Sequence, residues 1–123
     1  MRVSIIDDNN DFRKLIRRVI QDFNVELDIS ESESADQFFK NLNGQYPDII
    51  LMDIHMPGTN GFDATERIIK HYPSTKIIII SLDGGKEVEK KSLECGALGN
   101  IEKDKLVPDL YNFMLHHRII DAR

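Results

Sequence analysis

Two unbroken apolar runs constrain the fold of this chain more than any other feature. They lie in residues 48–52 (DIILM) and residues 76–80 (KIIII), where each run follows one charged residue, and both are rich in β-branched side chains. A strand with one face in water alternates apolar and polar residues, so a continuous run predicts a strand that is covered on both faces. Such burial is typical of the centre of a parallel sheet with helices on either side.

Shorter segments complete an alternating pattern of strands and helices. Residues 3–6 and 98–102 predict short strands, and residues 25–29 alternate as an edge strand does. Apolar side chains at helical spacing lie between the strands. The helical stripes run from Phe12 to Phe23, from a capping box at Ser34 and Gln37, from Phe62 to Tyr72, over residues 86–95, and from Leu106 to Met114.

The alternation predicts an α/β fold of the doubly wound type. We expect a five-stranded parallel sheet in the order 2-1-3-4-5 with five helices, spanning residues 1–123 as one domain with no effector domain in the chain. The first helical stripe carries Arg13, Lys14, Arg17 and Arg18, which we expect on the side away from the core.

Composition narrows the class of protein. The 123 residues include 16 Lys+Arg and 21 Asp+Glu, a net charge of −5, and this acidic balance argues against direct binding of nucleic acid. No apolar run approaches the roughly 20 residues of a membrane helix. The single cysteine, Cys95, excludes a disulfide framework. We therefore expect a soluble cytoplasmic domain that binds no membrane.

Polar residues follow directly after four of the predicted strands. Asp7 and Asp8 come after the first strand, Asp53 after the third, Ser81 after the fourth and Lys103 after the fifth. Ligand sites of open α/β sheets lie beyond the carboxyl ends of the strands. If the first and third strands are neighbours, the three carboxylates share one pocket, with the hydroxyl and the ammonium beside them.

The chemistry of such a pocket favours a metal ion and a phosphoryl group. Three close carboxylates repel one another, so they need either a raised pKa or a divalent cation, and oxygen ligands favour Mg²⁺. A hydroxyl and an ammonium suit an anion that arrives beside the metal, and a phosphoryl group fits best. A carboxylate can accept that group as an aspartyl phosphate.

These residues resemble the receiver domain of two-component response regulators, and the match covers essentially the whole chain. The central block is most similar to receivers of the NarL/FixJ type. The matching pieces are Asp7-Asp8, residues 47–58 with residues 62–65 following, Gly61, Ser81, and residues 96–104.

The resemblance implies a phosphoacceptor and a metal site. Asp53 would accept the phosphoryl group from a phosphohistidine on a sensor histidine kinase or phosphotransfer protein. Asp8, Asp53 and the backbone carbonyl of His55 would ligate Mg²⁺, and Asp7 would help through a water molecule.

The resemblance also implies how the phosphoryl group is held and used. Ser81 would donate a hydrogen bond to a phosphoryl oxygen, Lys103 would pair with the phosphate, and Pro57 and Gly61 would shape the loop after the acceptor. Such a domain is not an enzyme in the ordinary sense, because it catalyses only its own phosphorylation and dephosphorylation. Phosphorylation would switch partner contacts, with a homodimer as one outcome.

Three features depart from the family pattern and predict an altered switch. Asn100 stands where most receivers carry an aromatic residue, so the usual inward packing of that ring is lost. Leu82 replaces a small residue and would narrow access to the acceptor. Gly84 and Gly85 predict a loose entry to the fourth helix.

Three other interpretations stay open at this level. Asn100 and Leu82 suit a degenerate receiver that binds its partner without phosphorylation. An aspartate-nucleophile phosphatase is disfavoured, because such enzymes carry a second Asp where this chain has His55. A flavodoxin-like electron carrier is disfavoured because residues 7–10 (DDNN) would repel the phosphate of FMN.

Overall fold

The computed structural model describes residues 1–23 and 25–121 and confirms the alternation of five strands with five helices. Position 24 and the last two positions of the predicted 1–123 domain lie outside the described residues. The elements are β1 (Arg2–Ile6), α1 (Asn10–Gln21), β2 (Asp28–Ser32), α2 (Ala35–Lys40), β3 (Ile49–Asp53), α3 (Gly61–His71), β4 (Lys76–Ser81), α4 (Lys86–Glu94), β5 (Gly99–Glu102), a 3₁₀ turn (Lys103–Lys105) and α5 (Leu106–His116).

All five strands run parallel in the order β2-β1-β3-β4-β5, as predicted. The chain therefore places β1 between β2 and β3, with Ile6 of β1 opposite Met52 of β3. Because parallel strands end at the same edge, the residues that follow β1 and β3 lie next to each other. This arrangement positions the candidate site.

Both faces of the sheet carry an apolar core. Ile49 and Leu51 of β3 belong to the core cluster that also contains the buried residues of α1 and α5. Ile50 and Met52 of the same strand belong to the cluster formed with α2 and α3. The alternate side chains of one continuous run thus enter two different cores, which confirms that this strand is covered on both sides.

The second strand lies three residues later than the alternating pattern predicted. We expected residues 25–29, whereas β2 begins at Asp28, which pairs with Arg2 and donates its backbone N–H to the carbonyl oxygen of Met1 at 2.9 Å. Val25 and Leu27 pack against the core before the strand starts. Their alternation therefore reflects the packing of a connecting segment, because pairing with β1 sets the register of the strand.

Side-chain caps define where three of the helices begin. Asn9 accepts a hydrogen bond from the backbone N–H of Phe12 at 3.0 Å and starts α1 beside the candidate site. Ser34 caps α2 in the same way, which confirms that half of the predicted capping box, and Asn60 caps α3. The other half differs, because the Gln37 side chain accepts the backbone N–H of Glu33 instead of that of Ser34. None of the helices in the described part of the chain has the length and apolar character needed to span a bilayer.

Candidate functional site

Three carboxylates meet beyond the ends of β1 and β3. Asp7 and Asp8 follow β1, and Asp53 is the last residue of β3. Each offers one oxygen atom, and these atoms all lie within 4.8 Å of one another. Asp7 and Asp53 are buried and Asp8 is exposed. The structure therefore brings together the carboxylates that the strand order placed in one pocket.

Lys103 brings one positive charge to the carboxylates. Its Nζ atom lies 2.9 Å from Oδ2 of Asp7 and 3.7 Å from Oδ1 of Asp53. The ammonium also lies over the ring of Phe12, 4.6 Å from the centroid, which holds it by a cation–π contact. One ammonium cannot neutralise three carboxylates, so the cluster keeps an excess of negative charge.

Two polar atoms at the site have unused hydrogen-bonding capacity. Oγ of Ser81, the last residue of β4, is buried and has no hydrogen-bond partner within the described residues. Oδ2 of Asp7 also accepts no hydrogen bond within the described residues, although it is paired with the charge of Lys103 at 2.9 Å. A buried polar atom without a partner costs free energy, and the Ser81 hydroxyl is therefore suited to a bound ligand.

The environment of Asp53 disfavours its charged form. Burial is the main cause, with the charge of Asp7 next and that of Asp8 smaller, and together they raise the pKa of Asp53 to about 6. Lys103 and the backbone N–H of His55 oppose this shift. At neutral pH the Asp53 carboxylate is mostly ionised, and burial and the neighbouring charges destabilise this ionised form.

An open cleft of about 610 Å³ leads to these groups. Leu82, whose side chain is 68% exposed, lies on its wall, and exposed His55 lies there too. The cleft opens to solvent beside Asp53, and the narrowing of access that Leu82 predicts stays a prediction. Its lining consists of Asp8, Asn9, Phe12, Asp53, His55, Leu82, Lys103 and Asp104.

The loop after Asp53 folds back tightly onto the end of β3. Gly61 donates its backbone N–H to the carbonyl oxygen of Ile54 at 2.9 Å. A Cβ atom at Gly61 would overlap the carbonyl oxygen of Asp53 and lie 2.9 Å from its carbonyl carbon. A second hydrogen bond joins this loop to α2, because the Thr59 hydroxyl donates to Oδ1 of Asp36 at 3.0 Å.

A family model for the response regulator receiver domain matches residues 3–113. The chain belongs to the response regulator receiver domain family. It is 34% identical over 107 residues to the transcriptional regulatory protein DegU of Brevibacillus brevis, covering 85% of this chain and 44% of that protein. It is 27% identical over 103 residues to the response regulator GacA of Pseudomonas viridiflava, covering 84% and 48%. The receiver thus spans less than half the length of these relatives.

Solved receiver structures confirm the fold. A LuxR-family response regulator from Aurantimonas sp. SI85-9A1 superposes with a TM-score of 0.82 and 26% identity, covering 96% of this chain and 83% of that chain. The isolated REC domain of RcsB from Salmonella enterica serovar Typhimurium, solved with BeF3-, gives 0.85 at 21% identity, covering 100% and 91%. These neighbours share the predicted flavodoxin-like architecture of five parallel strands, and with the family match they confirm the predicted resemblance to receiver domains.

The Glu102 side chain of this receiver lies against the β4–α4 loop. A Cβ atom at Gly84 would lie 2.5 Å from Oε1 of Glu102, which forms a 2.9 Å ion pair with Lys105. Gly85 has open space around it and a φ of 109°. The loose entry to α4 that the two glycines predict stays a prediction.

Asn100, which stands at the position of the family's aromatic residue, pairs with Ile79 in the sheet and is half-buried.

Arg13 is the residue of this receiver that sequence reasoning placed wrongly. We expected it on the outer side of α1, but it is only 6% exposed. Its guanidinium donates to the backbone carbonyl of Asp7, to Oδ1 of Asn10 at 3.0 Å and to Oε1 of Glu31 at 3.0 Å. Helical spacing could have indicated this burial, because Arg13 lies three residues before buried Ile16 and therefore on the same face of α1.

The raised pKa of Asp53 predicts a pH-dependent gain in stability when its charge is removed. Since the pKa is about 6 in the folded receiver against an ordinary value of 3.8 for an aspartate in water, ionisation destabilises the fold progressively between these values. In EDTA at pH 7.5, Asp53→Asn should raise the free energy of unfolding by about 1–2 kcal/mol, shrinking towards zero near pH 4. Urea unfolding at both pH values measures this, with Asp28→Asn, an exposed carboxylate, as the control. A gain that does not change with pH would contradict the prediction.

Proposed function

We propose that this receiver accepts a phosphoryl group on Asp53 from a sensor histidine kinase or phosphotransfer protein, in a reaction that requires Mg²⁺. The observation that carries the proposal is the convergence of three carboxylates with one ammonium and one unpartnered hydroxyl. We further propose that phosphorylation takes place in the cytoplasm and switches partner contacts, including contacts with a second copy of the chain.

The residues at the cluster fit a magnesium ion. The donor atoms are all oxygens, as a hard cation prefers, and they carry more negative charge than Lys103 balances. Asp8 and Asp53, with the backbone carbonyl of His55, would hold the ion, and Asp7 would act through a water molecule. When bound, Mg²⁺ supplies positive charge that offsets the repulsion among the carboxylates and the incoming phosphoryl oxygens.

Each protein group then has a defined part in the transfer. A carboxylate oxygen of Asp53 attacks phosphorus, and the new P–O bond forms as the P–N bond of the phosphohistidine breaks. The leaving imidazole nitrogen keeps the electron pair and takes a proton from solvent. The Lys103 ammonium, 3.7 Å from Asp53, stabilises the developing negative charge, and Ser81 donates its free O–H to a phosphoryl oxygen.

The activity that we propose for this chain is limited to phosphorylation of Asp53 and the switch of partner contacts that follows. The chain carries a net charge of −5, and we propose no direct contact with nucleic acid and no turnover of a separate substrate. The transcriptional activity in the name of the Brevibacillus brevis relative belongs to a longer protein, of which this chain matches 44%.

Intact mass spectrometry tests the proposal directly. Incubation with acetyl phosphate and Mg²⁺ should add one phosphoryl group, and Asp53→Asn or EDTA should abolish the adduct. Asp109→Asn, an exposed carboxylate on α5, is the matched control and should leave the adduct unchanged. Lys103→Gln should slow its formation about 100-fold, because one charge-stabilising donor is lost. An adduct that survives Asp53→Asn, or no adduct on the wild type, would overturn the proposal.

A further inference from the structure

The turn that carries Asp7 and Asp8 is fixed by hydrogen bonds at three points. The backbone N–H of Asp7 donates to the carbonyl oxygen of Ser32 at 3.1 Å, and its Oδ1 accepts from the N–H of Asn9 at 2.8 Å. The carbonyl of Asp7 accepts from the guanidinium of Arg13. That carbonyl shares its peptide plane with the N–H of Asp8, so its direction sets where the exposed Asp8 side chain starts.

Glu31, the charge partner of buried Arg13, is also paired with a second arginine. Glu31 binds Arg13 through Oε1 at 3.0 Å and Arg17 through Oε2 at 2.8 Å, so either arginine alone would leave this carboxylate paired. Burying a guanidinium is costly unless its donors are satisfied. Arg13 makes two contacts that Arg17 does not, one to Oδ1 of Asn10 and one to the backbone of Asp7. Only the second holds the peptide between the two carboxylate residues.

We propose that Arg13 is a positioning residue for the metal-binding carboxylates, acting by holding the peptide between Asp7 and Asp8. The inference rests on the proposed function, because it takes Mg²⁺ as the ligand of the cluster. Residues that orient metal ligands from behind typically change metal affinity about 10- to 100-fold when replaced. Arg13 binds neither the ion nor the phosphoryl group; it orients groups that do.

The test compares two arginines that share one partner. Arg13→Gln and Arg17→Gln each remove one bond to Glu31, but only the first releases the carbonyl of Asp7. Titration calorimetry with Mg²⁺ alone should show Arg13→Gln weakening binding at least about 10-fold and Arg17→Gln less than about 2-fold. Arg13→Lys should fall between wild type and Arg13→Gln, because it keeps the charge but not the planar fork.

Mg²⁺ binding by the wild type and by the variants distinguishes the role of Arg13 from the proposed metal-dependent function. If folded Arg13→Gln binds Mg²⁺ as tightly as the wild type, or if both glutamine variants weaken it equally, the positioning role of Arg13 is wrong. If the wild type does not bind Mg²⁺, the metal-dependent function itself fails. Should Arg13→Gln not fold, Asn10→Ala removes a neutral anchor of the guanidinium and should still weaken Mg²⁺ binding. Unchanged affinity in that variant would also overturn the inference.

Discussion

Gly61→Ala should both destabilise this receiver and impair its phosphorylation. A Cβ atom at this position would overlap the backbone carbonyl of Asp53, and a main-chain oxygen cannot move aside as a flexible side chain does. Either the loop or the end of β3 must shift, at a cost of about 2–4 kcal/mol. Because Asp53 carries the acceptor carboxylate, the same shift displaces the reacting oxygen, and phosphorylation should slow about 100-fold.

Gly44→Ala is the matched control for that variant. Gly44 has a φ of 74°, so alanine is strained there, but nothing lies within 4 Å of the added Cβ. We expect Gly44→Ala to lose about 1 kcal/mol of stability and to keep the wild-type phosphorylation rate. Urea unfolding and phosphorylation by acetyl phosphate measure both effects. Wild-type stability of Gly61→Ala would show that the loop does not press on β3 as described.

The second large effect concerns two neighbouring isoleucines of β4 that face opposite cores. Ile78 packs in the cluster of α1 and α5, and Ile79 in the cluster of α2 and α3, and both are fully buried. Ile78→Ala and Ile79→Ala should each lower the free energy of unfolding by about 2–5 kcal/mol. A sheet covered on one side would show a large loss for only one of the two.

Chemical denaturation of the two single variants is sufficient to measure this. Val107→Ala, at a side chain that is 58% exposed, serves as the surface control and should change stability by less than about 0.5 kcal/mol. A loss below about 1 kcal/mol for either isoleucine would contradict burial on both faces. Because the two side chains enter separate clusters, we expect the measured losses to differ with the quality of local packing.

The central strands were predictable because they depend on a strong local signal. The apolar runs over residues 48–52 and 76–80 mark buried strands without any knowledge of the rest of the fold. The meeting of the site residues also needed the strand order 2-1-3-4-5, because alternation with helices puts Asp7, Asp53 and Lys103 at one edge of the sheet and the order makes β1 and β3 neighbours. The distances between these residues agree with that placement.

The features that were missed depend on contacts between segments distant in the chain. The register of β2 follows from pairing with β1, and the local alternation of Val25 and Leu27 could not reveal it. Arg13 is buried because Glu31 and a backbone carbonyl receive its donors, which periodicity alone does not indicate. The contact of the Glu102 side chain with Gly84 joins β5 to the loop before α4, and no local pattern in the sequence indicates it.

The strand order also ties the acidic cluster to the folding of the chain. Asp7 and Asp8 follow β1 and Asp53 ends β3, and a helix, a strand and a second helix separate these strands in sequence. In the unfolded chain Asp53 is solvated and far from the adjacent Asp7 and Asp8, so its repulsion with that pair begins only once β1 pairs with β3. A cation that binds only the assembled cluster would therefore stabilise the native state alone, by an amount that grows with the logarithm of one plus the ratio of its concentration to its Kd. The melting temperature of this receiver would then keep rising with cation concentration even after the site is filled, so the site and the whole fold would share one stability.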